Sequence, residues 1–159
     1  LRHSKALGDE DESDGVEEEH PKFDRALTRE QMRDLLASAD AFVLPTRGEG
    51  WGLPIAEAMA MALPTIVTNA TGPTAYTNAE NAYVIPVEPG VDKLGYAQPS
   101  VSALTNILLQ VHVDMATGEA ARRGTAARKT MQAFSPRRIV ALMVARIRDI
   151  VKRRGWMSI

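Results

Sequence analysis

Not one of the 159 residues is a cysteine. That removes disulfide frameworks and thiolate metal sites, and with them the class of small secreted domains stapled by cystine. The redox compartment stays open. Long apolar runs are also missing, since none approaches the roughly 18 residues that suggest a membrane-crossing helix. No basic segment followed by an apolar stretch opens the chain, so no secretory signal is read there. Because the first residue is Leu1 rather than methionine, we expect a piece of a longer polypeptide whose targeting segment would lie upstream. The expected location is the cytoplasm or the cytosolic face of a membrane. The three histidines, His3, His20 and His112, have no ligand spacing, and no metal site is expected.

What is present is 45% hydrophobic and 25% charged residues, the profile of one globular domain with enough apolar surface for a core. A net charge of −1 hides an asymmetry. Asp9, Glu10, Asp11, Glu12, Asp14, Glu17, Glu18 and Glu19 crowd into one tract, which repels itself and offers nothing to a core, so residues 1–27 read as an acidic disordered segment or insertion. Asp9-Glu10-Asp11 has the Asp-x-Asp form of a metal-diphosphate motif, but within such a tract the match is close to inevitable. A folded unit is expected over 28–154, with a tail at 155–159. The basic excess lies mostly between Arg122 and Arg154. It reads first as a solvated helical face and second as a contact for an anionic membrane; its few aromatics argue against stacking on nucleic acid.

Thr28 and Gln31 have capping-box spacing, which predicts a helix from Arg29 to about Ser38 with Met32, Leu35, Leu36 and Ala39 on one face. The run Ala41-Phe42-Val43-Leu44, stopped by Pro45, predicts a strand buried on both faces of a parallel sheet. Pro54 marks the first turn of a helix ending before Pro64, and Thr65–Thr68 and Tyr83–Ile85 are further strands. Strands alternating with helices predict an α/β fold with a Rossmann-like parallel sheet. After Pro99 three helices follow: one through Val101 to Met115, one from Gly118 to about Ala133, and one from Pro136 carrying Ile139, Val140, Leu142, Met143, Ile147, Ile150 and Val151. They predict a closing helical layer.

Chemistry concentrates between Pro45 and Ala62. Thr46-Arg47-Gly48-Glu49-Gly50-Trp51-Gly52-Leu53-Pro54 places three glycines at the carboxyl end of a parallel strand, where open α/β sheets bind ligands. Glycine lets the backbone approach a ligand, and the next helix aims its unsatisfied N–H groups at the crevice, a fitting seat for phosphate. Glu49 and Glu57 stand on either side of the helix start, so each can accept paired hydroxyls of a ribose or a sugar ring.

The stretch from Glu49 to Glu57 resembles the E-x7-E signature of the retaining glycosyltransferases of family 4, whose GT-B fold sets two Rossmann-like domains across a cleft. Ala39–Thr46 before it, Glu57-Ala58-Met59-Ala60 and Pro64–Val67 after it, and Phe134-Ser135-Pro136 follow that family's order. The resemblance implies that residues 28–154 are the C-terminal part of a GT-B donor domain, a partial nucleotide-sugar-binding unit. It implies that Glu57 binds the ribose hydroxyls of the donor and that Glu49, the catalytic residue of the set, contacts hydroxyls of the donor sugar or helps support the leaving diphosphate. Gly50, Trp51, Gly52 and Leu53 would contribute backbone amides, with Thr46 and Arg47 as further donor contacts. It implies no cofactor and no metal, a nucleotide-sugar donor, and a sugar, lipid or protein as acceptor. The chain departs from the family at Ala62, where glycine is usual, and at Asn69–Tyr76, where a glycine-rich loop with a glutamate is usual. The upstream arginine and lysine that neutralise the diphosphate have no counterpart here. Two alternatives stay open: a nucleotide-sugar-binding or scaffolding module without transfer, and a glycoside hydrolase, which also needs two carboxylates beside a sugar.

Overall fold

The computed structural model describes residues 27–155, so the readings placed on the acidic tract and on residues 156–159 lie outside the described residues. Helix α1 (Arg29–Ala37) begins as its spacing predicts. Gln31 N–H donates to Thr28 Oγ1 at 3.2 Å and Thr28 N–H donates to Gln31 Oε1 at 2.9 Å, so two otherwise unpaired donors satisfy each other's residues. Its apolar face is less used than expected. Leu36 alone is buried, against Ala58 and Leu63, while Met32 and Leu35 remain exposed.

Strands β1 (Phe42–Leu44), β2 (Thr65–Thr68) and β3 (Tyr83–Ile85) form a parallel sheet in that order. Phe42 is opposite Thr65, and Ile66 is opposite Tyr83. Helix α2 (Leu53–Ala60) connects β1 to β2. The strict strand-helix alternation stops there, because only a 3-10 turn, Gly72–Ala75, lies between β2 and β3. Helix α3 (Val101–Thr117) leads through Gly118, in the left-handed region at φ 82°, directly into α4 (Glu119–Gln132); α5 (Pro136–Arg153) follows. Among the described residues no helix is long and apolar enough to cross a membrane.

Side-chain alternation divides the core between the two faces of the sheet. On one face Ile55 and Met59 of α2 meet Val67, Tyr76, Ala127 and Met131. On the other, Val111 of α3 meets Ile66, Tyr83 and Ile85. This corrects the reading of β1 as a strand covered on both sides. Val43 shares the face of its register partner Ile66, yet it is 38% exposed, because β1 is the edge strand and α3 packs over β3 rather than reaching it.

Two further features follow from local sequence. Helix α2 ends in a Schellman arrangement: Leu63 N–H donates to Ala58 O at 3.1 Å and Ala62 N–H to Met59 O at 3.0 Å. That motif needs a left-handed residue, and Ala62 supplies it at φ 64°, which explains why glycine is usual at this position. Helix α5 has the expected apolar stripe but buries none of its residues. The closing helical layer is therefore made by α3 and α4, and α5 extends beyond it.

Candidate functional site

The loop from Pro45 to Gly52 leaves the carboxyl end of β1 and enters α2, and the segment after β2 holds it. Glu49 N–H donates to Thr71 Oγ1 at 2.9 Å, and Gly72 N–H donates back to Glu49 O at 3.0 Å. The Tyr76 hydroxyl donates to Trp51 O at 2.6 Å and reaches Gly52 O at 3.2 Å. Thr71 does this from a strained backbone, φ 56°, fastened by its own hydroxyl to Ala70 O and by Thr74 Oγ1 to its carbonyl. Gly52 caps α2 at φ 83°, a left-handed conformation that favours glycine, and a Cβ there would also press on Ile55 Cδ1 at 2.8 Å.

With the loop so held, the carbonyls of Glu49, Trp51 and Gly52 and the Glu49 amide are engaged, and the four amides that follow are not. Among the described residues no hydrogen bond uses the N–H groups of Gly50, Trp51, Gly52 or Leu53. Four donors therefore stay unpaired in the residues that lead into α2, whose start is the positive end of its dipole. Glu49 is half-buried on the loop. Its charge, after the larger effect of burial, pushes the Tyr76 hydroxyl up to about 12, because a phenolate beside a carboxylate is disfavoured. Glu57 lies one turn into α2 on the exposed side of the helix. It lines two hollows, one of about 470 Å³ shared with Trp51, Arg128 and Phe134, and one of about 460 Å³ shared with Arg29, Met32 and Arg33 of α1.

Trp51 packs its ring against Tyr76 (centroids 4.8 Å apart) and edge-on against Phe134 (5.1 Å), an arrangement of packing rather than chemistry. Thr46 is half-buried at the mouth of the loop. Arg47 turns to an ion pair with Asp92. Thr71, Tyr76, Asp92 and Arg128 are site neighbours that the sequence reading did not single out, although Thr71 and Tyr76 fall in the stretch where the family pattern was broken. The Thr68 hydroxyl, at the carboxyl end of β2, is buried with no partner; nothing in the structure explains it. Among the described residues no three His, Asp or Glu side chains gather as a metal site would require.

A parallel α/β sheet whose first strand opens into a glycine-bearing loop and a helix start has the form of a Rossmann-like domain. The family model described as glycosyl transferases group 1 matches residues 6–106, more than half of the chain, and the chain belongs to that family. Solved structures place it in the GT-B fold. A glycosyltransferase from Rickettsia africae ESF-5 superposes with a TM-score of 0.64 at 21% identity, covering 77% of this chain and 30% of its own. A sucrose-phosphate synthase from Thermosynechococcus elongatus gives 0.57 at 22%, covering 76% and 27%. TarM gives 0.54 at 22%, covering 75% and 22%. The chain thus spans less than a third of each of these proteins. A search of curated proteins returns no match.

Proposed function

We propose that this chain supplies the donor-binding half of a glycosyltransferase that takes a nucleotide-diphosphate sugar and transfers the sugar with retention of anomeric configuration. The observation that carries this reading is the set of unpaired amides from Gly50 to Leu53 at the start of α2, between Glu49 and Glu57. A diphosphate lying across those amides gains hydrogen bonds and the helix dipole as negative charge grows on it, which favours departure of the nucleotide. Glu57 accepts the ribose hydroxyls, and Glu49 acts at the donor sugar, with Thr46 and Arg47 beside it. Retention then needs no protein nucleophile, the acceptor hydroxyl attacking the face from which the diphosphate leaves. Neither a metal nor a cofactor is part of this reading.

The acceptor is a sugar, lipid or protein. The six cations of α5, from Arg137 to Arg153, against a single Asp149 favour contact with an anionic membrane surface. Binding without transfer is the second reading, on the departure of Asn69–Tyr76 from the family's glycine-rich loop. Hydrolysis has less support, since both acids belong to one loop-helix segment.

Calorimetric titration of the chain with uridine, guanosine and adenosine diphosphates tests the site. Glu57→Ala is expected to weaken the nucleotide that binds by about 2 kcal/mol, the worth of charge-assisted hydrogen bonds to two hydroxyls. Equal affinity in that variant removes Glu57 from the site. A protein that binds the nucleotide sugar yet transfers nothing in an assay of its full-length form establishes the second reading instead.

A further inference from the structure

Residues 86–100, between β3 and α3, double back as a strap. Val87 bridges Pro99 antiparallel, Glu88 N–H donates to Gln98 O at 2.8 Å, and Ser100 N–H donates to Pro86 O at 2.9 Å. One carboxylate organises the tip. Asp92 Oδ1 accepts from Leu94 N–H at 2.8 Å and Tyr96 N–H at 2.9 Å, and its main-chain N–H and C=O bond Tyr96 O and Gly95 N–H. The other oxygen, Oδ2, pairs with the Arg47 guanidinium. Beside that pair the Tyr96 ring lies over Gly48, where an added Cβ would stand 3.4 Å from Cδ1. The strap therefore touches two successive residues of the loop immediately before Glu49.

The two partners of the ion pair are unequal. The Asp92 side chain is 13% exposed and that of Arg47 53%. The anion is a fixed part of the strap turn, and the cation comes to it. An isolated surface pair would contribute little, but a carboxylate already held by two amides loses no further freedom when it takes Arg47. On its downstream side the loop is fastened by Thr71, Gly72 and Tyr76. On its upstream side Asp92 supplies the ion pair and Tyr96 the packing.

We propose that Asp92 is a positioning residue: through Arg47 the strap braces the upstream half of the loop and so sets where Glu49 and the amides after it stand before a ligand arrives. Its importance for the donor rests on the function proposed above. Ordering the loop in advance removes that cost from binding.

Hydrogen exchange on the whole chain tests this directly, read at the Glu49 and Gly72 amides, which are bonded between loop and partner, and at the Leu94 and Tyr96 amides of the strap. Asp92→Asn keeps an oxygen for the strap amides and loses the charge for Arg47. It is expected to speed exchange at Glu49 and Gly72 at least fivefold while Leu94 and Tyr96 stay within twofold. Arg47→Gln, which leaves the strap intact, should do the same and carries the test if Asp92→Asn does not fold; the double variant should be no faster than either single one. Nucleoside diphosphate affinity should fall about three- to tenfold in each. Unchanged exchange at Glu49 and Gly72 in both variants overturns the brace, as does faster exchange with undiminished affinity. If the unaltered chain binds none of the three diphosphates, the donor reading fails, while the exchange result still decides the brace.

Discussion

Gly72 leaves no room for a side chain beneath Gly50: a Cβ built on it would stand 2.1 Å from the Gly50 carbonyl oxygen and 2.9 Å from that of Glu49. The segment after β2 and the loop after β1 are therefore in backbone-to-backbone contact, and only the absence of a side chain permits the Gly72 N–H bond to Glu49.

Gly72→Ala is accordingly expected to destabilise the chain by about 2 kcal/mol, the range of overpacking against an unyielding neighbour. It should also lift the loop out of place. Urea unfolding gives the first quantity and diphosphate titration the second. A variant with unaltered midpoint and affinity would show that the loop yields at no cost.

A second tight contact lies at the far end of α2, where a Cβ on Gly124 of α4 would approach the Ala62 carbonyl oxygen to 2.0 Å. Gly124→Ala should cost about 2 kcal/mol or more by forcing α4 away from α2. Ala62→Gly should act oppositely. Relief of a left-handed alanine, about 1–2 kcal/mol, exceeds the added freedom of the unfolded chain, about 0.4–1 kcal/mol, so a gain of roughly 0.5–1 kcal/mol is expected in thermal or urea unfolding.

Alkaline pH provides a third test. Burial, then the charge of Glu49, pushes the Tyr76 hydroxyl up to about 12. Burial, then the hydrogen bond to Asp114 (2.8 Å), does the same to Tyr83. An ordinary tyrosine in the unfolded chain ionises near 10. Folding therefore favours the protonated hydroxyls. Their contribution is complete below about pH 10 and is lost as the pH rises through about 12. Stability followed by circular dichroism should fall steeply between those values. Tyr76→Phe and Tyr83→Phe should each flatten the fall while lowering stability at neutral pH.

The core beneath the loop and helix α5 should respond differently to truncation of apolar side chains. Ile55 is fully buried beneath the loop, and Ile55→Ala should cost about 2–5 kcal/mol. Ile147 on α5 is 57% exposed, and Ile147→Ala should stay within about 0.5 kcal/mol. The same α5 variant should weaken co-sedimentation with vesicles containing phosphatidylserine. Retention by neutral vesicles equal to that by anionic ones would remove the proposed dependence on an anionic surface.

Much of the frame was legible because its signals are local. Thr28 and Gln31 satisfy each other three residues apart, Pro54 fits a first helical turn, and the β-branched run Thr65–Thr68 becomes the fully buried central strand. The exposure of Val43 was not legible, because a short apolar strand reads alike at the centre and at the edge of a sheet. Nor was the idle stripe of α5, since periodicity gives the face of a helix and not what covers it.

At the site the division is the same. From the sequence alone came the glycine-bearing turn, the helix behind it and the two acids at Glu49 and Glu57, because spacing along a strand-loop-helix unit dictates which groups stand near the helix start. Only the tertiary structure decided what holds that turn: Thr71 and Tyr76 reach it across 22 and 25 residues of chain, and Asp92 claims Arg47 from beyond β3. Such bonds depend on how the sheet brings distant loops to one edge. No pattern of neighbouring residues encodes that arrangement.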